Sequence, residues 1–296
     1  MSNPSPVHVP VMLDEVVQWL RPRPGAVLVD GTLGGGGHAR VLAERVGNTG
    51  RVVALDRDPQ AVAAAAGNDN LAGLPVDVVE ANFADLPEVL KALDIAAVDG
   101  VLLDLGVSSD QLADAQRGFS FSADGPLDLR FDPTVGKPAW QLVNRMSVEH
   151  LAQLIYLYGE ERYSRRIARA IERQRRTKPI RLAAELADLL RRCVPRSRTG
   201  HSIDPATRTF QALRIAVNDE LKWLDVALKR LPDCLKREGR LVVISFHSLE
   251  DRRVKESFRD DARLKPLVTK PLRPSEEEVA ANPRSRSAKL RVAERV

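Results

Sequence analysis

The chain is 296 residues long, 44% hydrophobic and 29% charged, with a formal net charge of +5. That length buries a core without covalent staples, and two cysteines, Cys193 and Cys234, are too few for a disulfide framework, which points to a reducing compartment. The first ten residues (MSNPSPVHVP) lack the apolar run of a signal peptide, and the most apolar stretch, 95–107, is broken by Asp99 and Asp104; secreted and membrane-spanning chains are excluded and a cytoplasmic one is expected.

Leu13, Val16, Val17 and Leu20 fall on one face of a helix, which Pro22 and Pro24 stop. Residues 26–30 (AVLVD) read as a buried strand, followed by a glycine-rich turn at 31–37 and a helix over 38–46. A second strand at 51–56 precedes a helix over 59–66, with Pro59 in its first turn and Asp58 as its cap. Strands at 76–80 and 98–105, with a short helix after Asp85 between them, complete four β units joined by helices. This is the pattern of a parallel, doubly wound α/β sheet. After residue 111 a turn-rich stretch (117–133) leads to helices near 147–158, 161–176 and 181–193, without strand signals. One helix over 205–231 then returns to a fifth buried strand at 240–246, and 290–293 can form a last one. Residues 1–6 and 271–287 read as loop.

The economical division is a discontinuous α/β domain, 1–112 and 212–296, interrupted by a helical insert at 113–211. The insert carries 18 Lys and Arg against 11 Asp and Glu, whereas the remainder carries 27 against 29. Such a basic block suggests a polyanionic partner, and 35 of the 45 basic residues are Arg, suited to bidentate phosphate contact. Solvated helix faces in an Arg-rich proteome explain the charge equally well.

The loop from Asp30 to Arg40 (DGTLGGGGHAR) follows a strand and opens a helix. Its glycines let the backbone turn tightly and approach a ligand, and Gly34-x-Gly36-x-x-Ala39 satisfies a dinucleotide pattern. No Gly-Lys-Ser/Thr ending is present, which excludes a Walker A phosphate cradle. Asp56, ending the second strand, is placed to accept the hydroxyl protons of a ribose, and Phe83 either covers an adenine face or packs in the core. Asp104 ends the fourth strand. With Asp30, Asp56 and Asp104 on one sheet edge, the pocket favours a cation over a pyrophosphate. S-adenosylmethionine fits, having an adenosine, a sulfonium and an ammonium but no phosphate; a nicotinamide-dependent oxidoreductase is the alternative that the glycine spacing permits. His247 is either a site residue or packs beside a helix capped by Ser248 with Asp251 at its third position. Arg165, Arg169 and Arg173 fall four apart on one ridge of the insert, with Arg162 and Arg166 beside it; Arg208, Arg284 and Arg286 are further phosphate candidates. Neither cysteine sits at metal-ligand spacing, and no metal site is expected.

Several strings together are more specific: His8-x-Pro10-Val-Met-Leu-Asp-Glu-Val, the Asp30 loop, Leu55-Asp-Arg-Asp-Pro-Gln-Ala61, Leu103-Asp-Leu-Gly-Val-Ser-Ser, Arg117-Gly-Phe-Ser-Phe, Gly159-Glu-Glu-Arg-Tyr, Pro205-Ala-Thr-Arg-Thr-Phe-Gln, Ile244-Ser-Phe-His-Ser-Leu-Glu-Asp and Asn282-Pro-Arg-Ser-Arg-Ser. Through them the chain resembles the bacterial 16S ribosomal RNA cytosine-N4 methyltransferase family, RsmH or MraW. The resemblance implies a class I, Rossmann-like methyltransferase core with an inserted helical domain, and S-adenosylmethionine as cofactor. It puts the cofactor contacts on Gly36, Gly37, His38, Asp56, Phe83, Asp104 and Gln111. The implied substrate is the exocyclic N4 of a cytosine in the decoding region of 16S ribosomal RNA, within the small subunit; no membrane is implied, and a homodimer is left open. Asp104, or a backbone carbonyl of the Leu105–Ser109 loop, is the expected acceptor of the N4–H hydrogen bond, and water, Asp104 or His247 takes the departing proton. The chain departs from the family where Asp204 replaces the His that commonly precedes Pro-Ala-Thr-Arg, with His201 three residues earlier. A non-catalytic RNA-binding assembly factor is the remaining alternative.

Overall fold

The computed structural model describes residues 10–67, 70–120, 125–195 and 204–296; the loop expected at 1–6, His8 and His201 lie outside them. The chain forms two compact units, Met1–Gly106 with Leu221–Val296, and Val107–Glu220. The second unit takes in more flanking chain than the insert at 113–211.

In the first unit α1 (Leu13–Leu20), β1 (Val27–Asp30), α2 (Gly37–Val46), β2 (Arg51–Asp56), α3 (Pro59–Ala66), β3 (Val76–Glu80), α4 (Leu86–Ala92) and β4 (Val98–Asp104) follow the expected alternation. Asp58 caps α3 by accepting the Gln60 N–H at 3.0 Å, with Pro59 in the first turn, as the sequence predicts. The second unit holds α5 (Ser109–Ala113), α6 (Ala139–Arg145), α7 (Val148–Gly159), α8 (Ser164–Thr177), α9 (Ala183–Cys193) and α10 (Thr207–Asn218). The chain closes with α11 (Glu220–Cys234), β5 (Leu235–Ser245), α12 (Ser248–Asp260), β6 (Leu264–Pro266), α13 (Glu276–Ala281) and β7 (Lys289–Arg295).

The seven strands form one sheet in the order β3-β2-β1-β4-β5-β7-β6. The pairs from β3 to β5 are parallel, whereas β7 runs antiparallel to both β5 and β6. The period-two alternation of strand side chains splits each apolar run between two layers. Val29, Val53, Leu55, Val101 and Leu103 pack on one face with Leu90 of α4, Leu228 of α11 and Phe258 of α12. Leu28, Val52, Ala54 and Leu102 pack on the other with Val16 of α1 and Leu42 of α2. The second unit encloses its own core, built from Leu151 and Ile155 of α7, Ile167 and Ile171 of α8, Leu186 and Leu190 of α9, and Leu213 of α10.

Because β1 lies between β2 and β4, the strand order reverses there, and the crevice beyond the carboxyl ends of β1 and β4 is the sheet's topological switch point. The loop after β1 enters it closely: a Cβ on Gly31 would lie 2.5 Å from Leu103 Cδ2 and 3.3 Å from the Leu102 carbonyl.

Three expectations are corrected. The helix expected over 205–231 is two, α10 and α11, because Asp219 adopts a left-handed conformation (φ 50°) between them. The fifth strand starts five residues earlier than expected, with Glu238 at φ 64° and a register shift opposite Val98–Gly100. The segment 271–287 is not loop throughout, holding α13 and a short 3-10 turn, Pro283–Ser287. Among the described residues no helix is long and apolar enough to cross a membrane.

Candidate active site

Asp30 and Asp104 end the adjacent strands β1 and β4, and one side chain ties them together. Thr32 donates its N–H and hydroxyl to Asp30 Oδ1 at 3.1 and 3.4 Å, while its hydroxyl oxygen accepts the Asp104 N–H at 2.7 Å. Asp30 Oδ2 and Asp104 Oδ1 are both buried without a hydrogen-bond partner among the described residues. No Lys or Arg of the described residues pairs with either carboxyl. Burial pushes the Asp30 carboxyl from its ordinary 3.8 up to about 7, and the nearby Asp56 adds to this. Burial, followed by repulsion from Asp30, Glu250 and Glu278, holds Asp104 well above the usual carboxylate range. Asp30 is sealed, whereas the Asp104 side chain keeps 19% exposure, so Asp104 is the more accessible of the two.

Asp56, ending β2, holds the glycine loop: its Oδ2 accepts the Gly34 N–H and its Oδ1 the Asp58 N–H, each at 2.9 Å. Desolvation raises its carboxyl as well. Gly36, in a left-handed conformation (φ 76°), precedes α2, and no side chain caps that helix start at Gly37 and His38. His38 is 4% exposed; its Nε2 lies 3.0 Å from the Val11 carbonyl and its Nδ1 3.8 Å from Asp104 Oδ2. Phe83 opens a short 3-10 turn just past β3, with its Cβ 3.1 Å from where a Gly31 Cβ would be. These residues converge on the switch point. Thr32 was read only as part of the Asp30 loop, and Glu278, which belongs to no recognisable local pattern, was not singled out by sequence.

The remaining candidates lie differently. His247 is itself the N-cap of α12, in place of Ser248, and Glu250, in place of Asp251, is the third-position partner. Its Nδ1 accepts the Glu250 N–H at 3.4 Å, and its Nε2 stands 3.1 Å from Glu250 Oε1 without hydrogen-bond geometry. Asp251 instead pairs with Arg291 at 2.6 Å and Lys289 at 3.2 Å. Gln111 belongs to the second unit, where it forms a reciprocal cap with Ser108 at the start of α5. Arg165, Arg166, Arg169 and Arg173 are exposed on α8 without an acidic partner among the described residues, whereas Arg176 of the same helix pairs with Glu172. Arg162 lies over the Tyr163 ring, 4.7 Å from its centre. Arg208 is exposed and donates to the Glu160 carbonyl at 3.3 Å; in the first unit Arg284 and Arg286 are exposed on the 3-10 turn.

A mostly parallel seven-stranded sheet of this order, with an antiparallel β7 and an acid-tipped switch point, is the class I, Rossmann-like methyltransferase fold. The MraW methylase family model matches residues 5–296, and the chain belongs to that family. It is 52% identical to the ribosomal RNA small subunit methyltransferase H of Rhodopirellula baltica, over 98% of this chain and 91% of that one. The proteins of the same name from a Cyanothece species and from Geotalea uraniireducens are 51% and 48% identical, over 99% and 98% of this chain and 96% and 98% of theirs.

Proposed function

We propose that the chain transfers a methyl group from S-adenosylmethionine to the exocyclic N4 of a cytosine in the decoding region of 16S ribosomal RNA, in the cytoplasm. The observation that carries the cofactor is the pair of buried carboxylates, Asp30 and Asp104, with one orphaned oxygen each and no Lys or Arg beside them among the described residues. Such a site attracts a sulfonium and an ammonium and repels the pyrophosphate of a nicotinamide dinucleotide. Asp56 would hold the ribose hydroxyls and Phe83 an adenine face. The uncapped start of α2 at Gly36, Gly37 and His38 would take the carboxylate, since helix N-termini bind anions.

When bound, this cofactor supplies an electrophilic methyl on its sulfonium. Cytosine's amine is a poor nucleophile because its lone pair is delocalised into the ring. Asp104, once ionised, accepts a hydrogen bond from N4–H, which raises the nitrogen's electron density and holds it at near-attack distance. Asp104 or water receives the departing proton. His247 is the weaker acceptor of the two side chains, because it is engaged in the α12 cap. The base must leave its stack to reach such a pocket. The relatives' names point to small-subunit ribosomal RNA, and the unpaired arginines of α8 suit a phosphate backbone.

Radiolabelled methyl transfer to small subunits lacking the modification, followed by mapping of the labelled nucleotide, tests this reading. Label on the N4 of one decoding-region cytosine is expected. Label on another atom, or on no RNA, overturns it.

A further inference from the structure

Glu278 and Met12 stand at opposite ends of the chain, yet Glu278 Oε1 accepts the Met12 N–H at 2.7 Å. The carbonyl of that same peptide unit belongs to Val11, and it faces His38 Nε2 at 3.0 Å. One peptide plane is therefore pinned at both ends, by a carboxylate on α13 and an imidazole on α2. Met12 is fully buried and left-handed (φ 53°, ψ 40°), a backbone state that bulky L-residues adopt only where the surroundings impose it. A carbonyl oxygen can only accept, so Nε2 carries a proton and Nδ1 is the nitrogen turned towards Asp104. Donation of the amide N–H to a carboxylate polarises the peptide and strengthens its carbonyl as an acceptor.

We propose that His38 is a positioning residue that sets the orientation and charge of Asp104, and that Glu278 holds it there through the Val11–Met12 peptide. This rests on the reading that Asp104 lies in the methyl-donor site. Among the described residues the charged groups that act on Asp104 are Asp30 of β1, Glu250 of α12, Glu278 of α13 and His38 of α2. The three acids disfavour its ionisation, and of the four only the imidazole can favour it. Its Nδ1–Oδ2 separation is 3.8 Å, beyond direct hydrogen bonding, so the ring favours the Asp104 carboxylate when Nδ1 as well as Nε2 carries a proton. Glu278 thus acts in two opposed ways: its charge repels a second negative charge on Asp104, while its hydrogen bond keeps the ring in place.

Glu278→Gln removes the charge and keeps the acceptor; Glu278→Ala removes both, so the difference between them isolates the relay. The test is calorimetric titration of S-adenosylmethionine into the full chain from pH 5.5 to 9, with wild type, His38→Ala, both Glu278 variants, and His38→Ala combined with each. His38→Ala is expected to move the midpoint of the affinity profile up by about one pH unit, which is about tenfold weaker binding near neutrality. Glu278→Ala should lie above Glu278→Gln, and that gap should vanish in the His38→Ala background. Indistinguishable Glu278 variants, or a gap that persists without the imidazole, overturn the relay. Glu278 is half-buried, so its variants remain informative even if His38→Ala fails to fold. Absence of binding by the wild type at every pH would overturn the donor-site reading instead. The relay is then read from the Asp104 carboxyl itself, titrated by carbon NMR in ligand-free protein, where the same ordering of variants is expected and its absence is fatal.

Discussion

Asp30→Asn should stabilise the protein, and by an amount that grows with pH. The Asp30 side chain is fully buried, its Oδ1 is satisfied by Thr32, and its Oδ2 has no hydrogen-bond partner among the described residues. Raising a carboxyl from 3.8 to about 7 means that the folded protein keeps a proton which the unfolded chain has already released. Stability therefore falls as pH rises from about 4 to 7, by ~4 kcal/mol in total, and is flat above that. Asparagine preserves the Oδ1 acceptor and removes the charge, at the cost of a buried amide N–H worth ~1–3 kcal/mol. That cost is independent of pH, whereas the relief is not: between pH 5 and pH 8 the variant should gain ~3 kcal/mol relative to wild type. Urea unfolding followed by far-ultraviolet circular dichroism at both pH values measures the gap. Curves that stay parallel within ~0.5 kcal/mol would refute the idea that a desolvated, uncompensated carboxyl sits at the switch point. The stabilisation should come with weaker binding of a cationic ligand, the usual exchange of activity for stability at a charged site.

Replacing Arg165, Arg169 and Arg173 together by Ala should leave the fold intact and lower the salt slope of RNA binding by about 2, at ~0.7 per phosphate contact on single strands; filter binding at several salt concentrations reads this, and an unchanged slope removes the α8 ridge from the interface. Asp251→Ala strands the nearly buried Arg291 and should cost about 3 kcal/mol at neutral pH in the same unfolding assay. Because its ion pairs hold the Asp251 carboxyl below 3.8, that loss should shrink as pH drops below about 4, and a pH-independent loss would point to packing instead. Gly118→Ala combines a left-handed φ of 69° with a Cβ that would overlap the Pro126 carbonyl oxygen, and should destabilise the second unit by about 3 kcal/mol or more, read from thermal melting. Unaltered melting would mean that this turn relaxes freely.

Strands buried on both faces announce themselves, which is why β1, β2 and β4 were legible as short apolar runs that end in Asp30, Asp56 and Asp104; β3, only partly buried, was legible from its valines. The Asp58–Pro59 helix start was equally plain, since its capping chemistry is local. The break at Asp219 was not, because Asn218-Asp219 carries neither Gly nor Pro, and a single left-handed Asp leaves no pattern in the spacing. The three-residue β6 is too short for any periodicity to show. His247 as a cap was missed because Ser248, one position later, is the better capping residue by propensity and tertiary geometry overrode it. Thr32 bridges two strand ends, and Glu278 reaches Met12 across 266 positions of sequence; neither contact leaves a trace in spacing. The acids of the site could be read because strand ends are predictable. Their partners could not, because those come from elements whose docking depends on the whole sheet.

The most direct test is calorimetric titration of S-adenosylmethionine into intact wild-type protein and into Asp104→Asn at pH 8. Saturable binding by wild type, weakened about tenfold or more when the carboxylate becomes an amide, is expected of a donor site whose charge comes from the ends of β1 and β4. Equal affinity in the two proteins, or no binding by the folded wild type, would contradict it.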